Sequence, residues 1–322
     1  MKISKILCIG AALNDLLVLE TDAFVSALGR EKGGMALCDH GDIQIALSKI
    51  HEGVTSAPGG SACNTGVGLA RLGADVTFLG KRGKDTPGEN TEKQLNAWGL
   101  KTNMLLGDDP TGQVLSIITP DAQRTMMTCL GAAATLAPEE LSLKDFEGFD
   151  LVHLEGYLLF NTPFFDRAIE LAKEAGCKIS FDLSSFEVVG IFKEKLESLL
   201  PGSIDLIIAN EDESKAYTDQ DPEASLEIFA GMAEMAVVKL GKDGALMAKG
   251  EERVRVGAEV VKAIDTTGAG DLWASGYLYG LSRGWNMKES GELAAKTGAA
   301  VVQIVGAVIP ENSWEKILSE VS

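Results

Sequence analysis

The sequence predicts an α/β fold with a mostly parallel central sheet, and three observations support that class. Short β-rich apolar runs alternate with helical stretches along the chain, which is the order of βαβ units. Several helical stretches are followed by a glycine, as helices commonly are. Two further regions carry the two-residue alternation of strands and interrupt the βαβ order. We therefore expect a main sheet between helices and a second, smaller sheet.

The elements of the central sheet follow from these apolar runs. Strands are predicted over residues 5–10, 76–80, 151–154, 178–181, 205–208 and 236–240. Helices are predicted between and after them, over residues 61–72, 89–98, 163–175, 271–282 and 288–303. Because successive strands are separated by helices, they are expected to pair in parallel.

The two interrupting regions are residues 14–50 and 101–130. Alternation of apolar and polar residues in 41–47 and 114–119 predicts strands there, with turn signals at 108–110 and 120–121. These regions are expected to form a small sheet that acts as a lid on the main one. With no repeat or Pro/Ser-rich linker in the sequence, residues 1–322 are predicted to form a single domain.

The charge balance excludes some classes of partner. The chain has 29 Lys and Arg against 47 Asp and Glu, a formal net charge of −18. Such a surface repels phosphate backbones and anionic membranes, so we expect neither nucleic acid nor a membrane as partner. A nucleotide ligand is still compatible with this net charge, because local backbone dipoles can make the electrostatic potential positive at a binding site.

Neither a membrane span nor a secretion signal is predicted. The apolar stretch at residues 298–309 contains Gln303 and is shorter than the roughly 18 to 20 residues that a spanning helix needs. Residues 6–13 follow two lysines, but Asn14 and Asp15 stand where a cleavage site of small residues belongs, so a first buried strand is predicted. The five cysteines have no CxxC spacing and predict core residues in a reducing, cytoplasmic environment.

Several common catalytic motifs are absent from the sequence. It has no P-loop, and Gly10 is followed by Ala11 and Ala12 rather than by a dinucleotide-binding glycine pattern. The nucleophile elbow of serine hydrolases is missing as well. The three histidines, His40, His51 and His153, lack metal-ligand spacing and are predicted to be structural or exposed.

Polar residues gather instead where the predicted strands end. Ligands of open parallel sheets lie at this carboxyl edge. Two glycine-rich turns, at residues 59–60 and 268–270, open helices at the same edge. The polar residues at the strand ends are Asn14, Asp15, Glu155, Asp182, Asn210 and Glu213.

The sharpest of these features is the turn DTTGAGD at residues 265–271. The N–H groups of Gly268, Ala269 and Gly270 can converge on one oxygen at the positive end of the following helix, which makes an anion hole. Asp271 is placed to accept the proton of a hydroxyl that attacks a bound phosphate. A tight turn whose acid stabilises the helix end explains the same residues equally well.

The other polar turns are ambiguous by themselves. Gly59, Gly60 and Asn64 open a helix, and the amide of Asn64 offers the donor and acceptor that polyol hydroxyls need, although a capped helix is the simpler interpretation. Asn14 with Asp15 is equally typical of an ordinary turn.

Two later segments have the same ambiguity. Residues 210–213, NEDE, can orient Mg²⁺ through water or open a helix. Residues 239–244, KLGKDG, form either a loop under a nucleotide or a hairpin turn, and local sequence slightly favours the hairpin.

Taken together, these motifs resemble the PfkB, or ribokinase-like, family of carbohydrate and nucleoside kinases. The N-terminal signature is similar over GGSACN (59–64), GLARLG (68–73) and GKRGKD (80–85). The C-terminal signature is matched by DTTGAGD (265–271), and an Asn-x-x-Glu lies between the two. The resemblance covers nearly the whole chain. It implies a ribokinase-like three-layer α/β/α fold with a mostly parallel central sheet and a small β-sheet lid.

The resemblance also implies roles for the residues of both turns. Asp271 corresponds to the catalytic base, and Gly268, Ala269 and Gly270 correspond to the anion hole. The resemblance also implies that the acceptor's hydroxyls are held at three places: the end of the first predicted strand, the first glycine turn and the end of the third predicted strand. The residues there are Asn14, Asp15, Gly59, Gly60, Asn64 and Glu155.

For the phosphoryl donor the resemblance implies ATP with Mg²⁺. Asn210 and Glu213 would organise the Mg²⁺ and the phosphates, while Lys239, Gly241 and Gly244 would line the nucleotide. Many relatives also use a monovalent cation such as K⁺, and Asp265 and Thr267 occupy the matching positions.

Three segments favour the adenosine kinase-like branch of the family. KGGMALCD (32–39) lengthens the first lid region, and PDAQRTM (120–126) with LGAA (130–133) is similar to the second lid segment of that branch. There the resemblance implies that Arg124 reaches the transferring phosphate. EGYL (155–158) also resembles the branch, although sugar kinases carry a substrate-contacting Glu near Glu155.

The expected function is transfer of the γ-phosphoryl group of ATP to a primary hydroxyl of an adenosine-like nucleoside. One alternative is a kinase of a free sugar such as ribose, fructose or ketodeoxygluconate. An alternative of another class is a non-catalytic nucleoside- or sugar-binding regulator. Since the exposed face of such a lid is often covered by another subunit, a homodimer through the lid is also expected.

Overall fold

The computed structural model describes residues 3–50, 53–121 and 123–320, so His51 lies outside the described residues. The helices and strands alternate as the sequence predicts. In chain order the strands are β1 (Lys5–Ile9), β2 (Leu13–Leu19), β3 (Met35–Leu37), β4 (Thr55–Gly59), β5 (Asp75–Gly83), β6 (Lys101–Gly107), β7 (Thr111–Ile118), β8 (Arg124–Gly131), β9 (Leu151–Glu155), β10 (Lys178–Asp182), β11 (Leu206–Asn210), β12 (Met235–Lys239), β13 (Ala245–Lys249) and β14 (Glu252–Val256).

The helices occupy the connections between these strands and the C-terminal part of the chain. They are α1 (Asp22–Ala27), α2 (His40–Ser48), α3 (Ser61–Leu72), α4 (Thr86–Ala97), α5 (Thr162–Glu174), α6 (Phe186–Ile191), α7 (Lys193–Ser203), α8 (Glu211–Thr218), α9 (Pro222–Ala230), α10 (Ala269–Ser282), α11 (Met287–Val301) and α12 (Glu311–Ser319). No described helix is long and apolar enough to cross a membrane.

Nine of the described strands form the large sheet, in the order β14-β13-β12-β11-β10-β9-β1-β5-β6. The strands from β12 to β6 pair in parallel, while β13 and β14 continue the sheet as antiparallel neighbours. Along β1, Leu7 and Ile9 point into one core and Ile6 and Cys8 into the other. Because both faces of the sheet are covered by helices, the fold is the predicted three-layer α/β/α arrangement.

The parallel pairing determines where the polar strand ends lie. β9, β10, β11 and β12 end at Glu155, Asp182, Asn210 and Lys239. Carboxyl ends of parallel strands meet at one edge of a sheet, so these side chains surround one region. The loops that lead into α3 and α10 enter the same region.

The small sheet has the strand order β3-β8-β7-β2-β4 and differs in detail from the prediction. Residues 101–107 were expected in it, but they form β6 at the edge of the large sheet, because they pair with β5. Conversely β4, which lies beyond residue 50, pairs with β2 in the small sheet.

The strand predicted over residues 41–47 is wrong, since this segment lies within helix α2. Asp39 accepts a hydrogen bond from the backbone N–H of Asp42, and the Asp42 side chain accepts one from the backbone of Asp39, so a capping box starts the helix. Ile43 and Ala46, three residues apart, then lie on the buried face. The alternation of apolar residues in this segment is therefore incidental.

Helices α1 and α2 cover the outer face of the small sheet. Leu16 and Val18 of β2 pack there with Val25 of α1 and with Ile43 of α2. These contacts bury that face of the small sheet within the chain, and the homodimer through the lid stays a prediction.

Candidate active site

The turn at residues 265–270 is fixed by its own side chains. The carboxylate Oδ1 of Asp265 accepts hydrogen bonds from the backbone N–H and the hydroxyl of Thr267, at 3.0 and 2.7 Å. Its Oδ2 accepts one from the N–H of Gly306 at 2.8 Å. Gly268 adopts a left-handed conformation with φ of 71°, and a Cβ there would lie 2.8 Å from the Cβ of Ala307. Residues other than glycine are therefore disfavoured at position 268 for two reasons, the positive φ and the close contact with Ala307.

The turn presents backbone donors at the start of α10. The N–H of Ala269 donates to the carbonyl of Thr266 at 3.1 Å and is occupied within the turn. Over the described residues, the N–H groups of Gly268 and Gly270 have no hydrogen-bond partner. The predicted anion hole thus offers two open donors rather than the three expected, at the positive end of a 14-residue helix.

Asp271 lies one residue further along, in the first turn of α10. Its Oδ1 accepts a hydrogen bond from the hydroxyl of Ser61 at 2.7 Å, and its Oδ2 accepts one from the side-chain amide of Asn64 at 2.9 Å. Burial raises the pKa of Asp271 to about 6, against the effect of these two hydrogen bonds. The two signature motifs are therefore joined at this carboxylate, and Ser61 is a site residue that sequence analysis did not single out.

Asn14 and Asp15 project to opposite faces of the small sheet, as neighbours on a strand do. Asn14 accepts a hydrogen bond from the hydroxyl of Ser56 at 2.7 Å and lines a polar cavity of about 370 Å³ beside α4. Asp15 lines a separate cavity of about 240 Å³. Burial raises the pKa of Asp15 to about 6, with Arg124 lowering it and Asp271 raising it further. Asp15 therefore faces the region of Asp271, and Asn14 does not.

The first glycine turn brings the small sheet to the start of α3. Gly59 ends β4 opposite Leu13 of β2, and Gly60 is the N-cap residue of α3. Gly60 has φ of 107°, and a Cβ there would lie 2.1 Å from the carbonyl oxygen of Ala11. This close approach places Asn64 one helical turn further on, against Asp271.

Glu155 hydrogen-bonds the backbone both of the turn between β1 and β2 and of the start of α3. It is 1% exposed, and its two carboxylate oxygens accept backbone hydrogen bonds from Ala11 at 2.9 Å and from Ala62 at 2.6 Å. Burial raises its pKa to about 7, although both hydrogen bonds lower it. The structure thus gives Glu155 backbone partners in the two turns, whereas the sequence predicted contact with the acceptor.

Arg124, at the start of β8, links the small sheet to the C-terminal turn. Its guanidinium group lies 3.3 Å from Oδ2 of Asp265. Its Nε is buried and has no hydrogen-bond partner among the described residues. The guanidinium group is therefore close to the anion hole with one donor unused.

The predicted cation ligands have other partners. Asn210 and Glu213 close a capping box at the start of α8, in which both oxygens of Glu213 accept hydrogen bonds from Asn210 at 2.7 Å. Among the described residues no group of three or more acidic, His or Cys side chains is placed to hold a metal ion. The carboxylate of Asp265 pairs with Arg124 and accepts a hydrogen bond from the Thr267 hydroxyl, and binding of a monovalent cation there stays a prediction. The described residues thus offer Mg²⁺ no cluster of three direct ligands, and its binding through water at Asn210 and Glu213 stays a prediction.

The segment KLGKDG is a hairpin turn between β12 and β13. Gly241 and Gly244 both have positive φ, and a Cβ at Gly244 would lie 1.9 Å from the carbonyl oxygen of Val256. Lys239, the last residue of β12, points inward and pairs with Asp182 at 2.9 Å. The glycines therefore shape the hairpin, while Lys239 reaches the floor of the site.

An aromatic side chain of the site was also not predicted. Tyr157 follows β9, is 40% exposed and lies near Ser185. Burial of its hydroxyl raises its pKa, and Asp271 raises it further. Phe186 begins α6 directly after Ser185 and is 52% exposed. A single partly exposed aromatic residue such as Tyr157 follows no periodic pattern by which the sequence could have indicated its place in the site.

These features define the class of protein. An anion-binding turn, a carboxylate beside it and a small sheet above them belong to phosphotransferases that act on an alcohol acceptor, and the comparisons agree with this class. The model of the pfkB family carbohydrate kinases matches residues 43–314. The chain belongs to the PfkB family.

Similar proteins include both nucleoside and sugar kinases. The structure of adenosine kinase from Sinorhizobium meliloti has a TM-score of 0.89 and 30% identity, over 100% of both chains. A probable sugar kinase from Rhizobium etli has a TM-score of 0.89 and 28% identity, over 100% of this chain and 99% of the other. A 5-dehydro-2-deoxygluconokinase from Listeria monocytogenes is 30% identical over 77% of this chain and 80% of its own length. Membership of the family implies that ATP is used, typically with Mg²⁺.

Proposed function

We propose that this protein transfers the γ-phosphoryl group of ATP to a primary hydroxyl of an adenosine-like nucleoside, with Asp271 as the base. The observation that carries the proposal is that Asp271, in the first turn of α10, directly follows the open N–H groups of Gly268 and Gly270. Ser61 and Asn64 each donate one hydrogen bond to it, so its oxygens are oriented while each keeps a lone pair for an acceptor hydroxyl.

The reaction then needs little covalent work by the protein. Asp271 takes the proton of the acceptor hydroxyl while the oxygen of that hydroxyl bonds to the γ-phosphorus. The bond from that phosphorus to the bridging oxygen breaks, and ADP leaves with the electron pair. The donors of Gly268 and Gly270 and the guanidinium group of Arg124 stabilise the charge of the group in transfer. The raised pKa of Asp271 brings the base close to the pH at which it has to work.

The small sheet has the position of a lid in this proposal. Asp15 on its inner face hydrogen-bonds a hydroxyl of the acceptor, and Arg124 approaches the phosphoryl group from the same sheet. Exclusion of water by such an element prevents wasteful hydrolysis of ATP. Glu155 acts through the backbone of Ala11 and Ala62 by holding the two acceptor-binding loops together.

The nucleoside is favoured over a free sugar by Tyr157. Its ring is partly exposed and its hydroxyl interacts electrostatically with Asp271 and Glu155, and an aromatic face is suited to a nucleobase rather than to a second hydroxyl cluster. An adenosine kinase is similar over the full length of both chains, and a probable sugar kinase has the same TM-score of 0.89. The sugar alternative is supported by the 5-dehydro-2-deoxygluconokinase relative.

The test is a coupled assay of ADP release with adenosine, ribose, fructose and a ketodeoxygluconate as acceptors. We expect turnover with adenosine, and a KM for adenosine that rises at least tenfold in Tyr157→Ala while the KM for ATP stays constant. Preference for a sugar would reject the nucleoside acceptor. Ligand-induced thermal stabilisation without turnover of any acceptor would identify a binding protein instead.

A further inference from the structure

The ammonium group of Lys239 lies unusually close to the anion-binding turn. Its Nζ donates to Oδ2 of Asp182 at 2.9 Å, and both side chains are buried. On its other side it faces Gly270, because a Cβ added to that residue would lie 3.0 Å from Nζ. A larger residue at 270 would therefore displace the ammonium group. Lys239 and the turn fit together as one unit.

The charges around this lysine do not balance. Asp182, Glu213 and Asp271 all act electrostatically on Lys239 and raise its pKa, so three carboxylates surround one ammonium group. Glu213 is bound to Asn210, and Asp271 is bound to Ser61 and Asn64. Among the described residues, Asp182 alone hydrogen-bonds the ammonium group. The transferring phosphoryl group would add further negative charge at this place.

Keeping such a pair buried is costly. Removing both ions from water loses more free energy than their attraction usually returns, so burial of an ion pair is weak evidence for a role in stability. A buried pair at the same sheet edge as the proposed base is better explained by its effect on the charges of the reaction.

We propose that Lys239 is a positioning residue of phosphoryl transfer: its ammonium group, held by Asp182, supplies positive charge at the side of the Gly268–Gly270 turn. This inference rests on the proposed function. The charge has two consequences there. It strengthens the attraction of the turn for the γ-phosphoryl group, and it favours the ionised form of Asp271, which has to accept the proton of the acceptor.

The pair can be tested because its two members act on Asp271 in opposite directions. Lys239 lowers the pKa of Asp271, and Asp182 raises it. The other groups that face Asp271 are unchanged in either variant and come from the small sheet, α3, β9 with the turn after it, and α8; they are Asp15, Cys63, Glu155, Tyr157 and Glu213. A role in structure alone would make both variants change in the same way.

The experiment compares Lys239→Met, Lys239→Arg and Asp182→Asn in the pH dependence of kcat/KM. We expect Lys239→Met to lower turnover by about 10²-fold, as for loss of one anion-hole donor. Its acidic limb should move to higher pH and that of Asp182→Asn to lower pH, each by about half a unit or more. Lys239→Arg should recover at least tenfold of the lost turnover. Shifts in the same direction, or turnover of Lys239→Met within threefold of the wild type, would overturn the proposal.

An ion pair at the opposite end of β10, more exposed than Lys239 and Asp182, controls for the general effect of removing a lysine charge. Lys178 at the start of β10 pairs with Asp205 before β11, far along the strand from Asp182. Lys178→Met should leave kcat and its pH profile unchanged. The double variant Lys239→Met with Asp182→Asn removes both charges at similar volume, and thermal melting of each variant shows that the fold persists.

A binding measurement separates this inference from the proposed function. Calorimetry with ADP and with the non-hydrolysable triphosphate AMP-PNP gives the contribution of the γ-phosphate to affinity. We expect that contribution to fall at least tenfold in Lys239→Met and to persist in Lys178→Met. An equal contribution in the wild type and Lys239→Met overturns the role of Lys239 by itself. Loss of the contribution in Lys239→Met, with no turnover of any acceptor by the wild type, overturns the proposed function instead.

Discussion

Asp271 combines features that oppose one another at the scale of a single residue. Its carboxylate is buried near other acids, which is unfavourable for folding, yet that burial gives it the raised pKa that suits a base. Ser61 and Asn64 hold it in place through hydrogen bonds that an uncharged amide can largely retain. Function and stability should therefore separate when the charge is removed.

We expect Asp271→Asn to lower turnover by about 10²- to 10⁴-fold, the range for loss of a positioned base. Its melting temperature should rise by about 2 °C or more, because a desolvated charge is removed. Steady-state kinetics and thermal melting measure the two effects. Asp212→Asn, an exposed acid in the first turn of α8, is the control and should change neither. Turnover near that of the wild type would rule out Asp271 as the base.

The pH profile gives a second prediction for the same carboxylates. Asp15 and Asp271 both have pKa values raised to about 6, mainly by burial. Asp271 has to be ionised to accept a proton, and ionised Asp15 is the stronger hydrogen-bond acceptor, so kcat/KM should fall as the pH drops through about 6. The decrease below that pH should be tenfold per unit or steeper. A profile that stays flat to pH 4.5 would contradict both assignments.

Sequence patterns predicted some of these residues better than others, for physical reasons. DTTGAGD was informative because glycine at 268 and the acid at 271 are each required by local geometry. Ser61 was not distinguished, since a serine at a helix start is usually a cap and its partner Asp271 is 210 residues away. The different environments of Asn14 and Asp15 depend on which face of the small sheet is buried, and a two-residue pattern does not say this.

At the scale of the elements, the strands of the large sheet were predicted because they are short apolar runs between helices. The segment 41–47 was assigned to the wrong class, because Ile43, Ile45 and Leu47 alternate while Ile43 and Ala46 also have helical spacing. The capping box at Asp39 decides between the two patterns. β6 was placed in the wrong sheet, since alternation predicts a strand and not its neighbour.

The small sheet has an apolar core of its own, separate from the two cores of the large sheet. Ile43→Ala in α2 should destabilise that core by about 2–5 kcal/mol. Since the large sheet does not depend on these contacts, we expect faster hydrogen exchange in β2, β7 and β8 and unchanged protection in β1 and β10. The KM of the acceptor should rise with little change in that of ATP.

Ile45 of the same helix provides the control for this prediction. It is 57% exposed, so Ile45→Ala should leave both the exchange rates and the KM values unchanged. Global loss of protection in Ile43→Ala, rather than loss confined to the small sheet, would show that the two sheets unfold together.

At the scale of the whole molecule, the buried carboxylates determine how stability depends on pH. Burial raises the pKa of Asp15 and Asp271 to about 6 and that of Glu155 and Glu213 to about 7. Between their ordinary values and these values, the folded chain binds more protons than the unfolded chain. Stability therefore increases as the pH is lowered through this window.

We accordingly expect a higher melting temperature at pH 5.5 than at pH 8, measured at constant ionic strength. Buried His153 acts in the opposite direction, because burial lowers its pKa to about 4 and the unfolded chain takes up its proton first. Because one histidine opposes four carboxylates, we still expect the melting temperature to be higher at pH 5.5 than at pH 8. A maximum of stability at or above pH 8 would show that these acids are not desolvated in solution.

The way the chain builds its small sheet also limits how the molecule can be recombined. β2, β3 and β4 lie before α3, and β7 and β8 come only after β6, so a complete βαβ portion of the large sheet separates the two halves. Transplanting one contiguous fragment from a related kinase would leave β2 beside a foreign β7, with mismatched side chains on both faces. Chimaeras intended to exchange acceptor preference must carry residues 13–59 and 111–131 as one unit, and natural divergence of the two segments is expected to be coupled for the same reason.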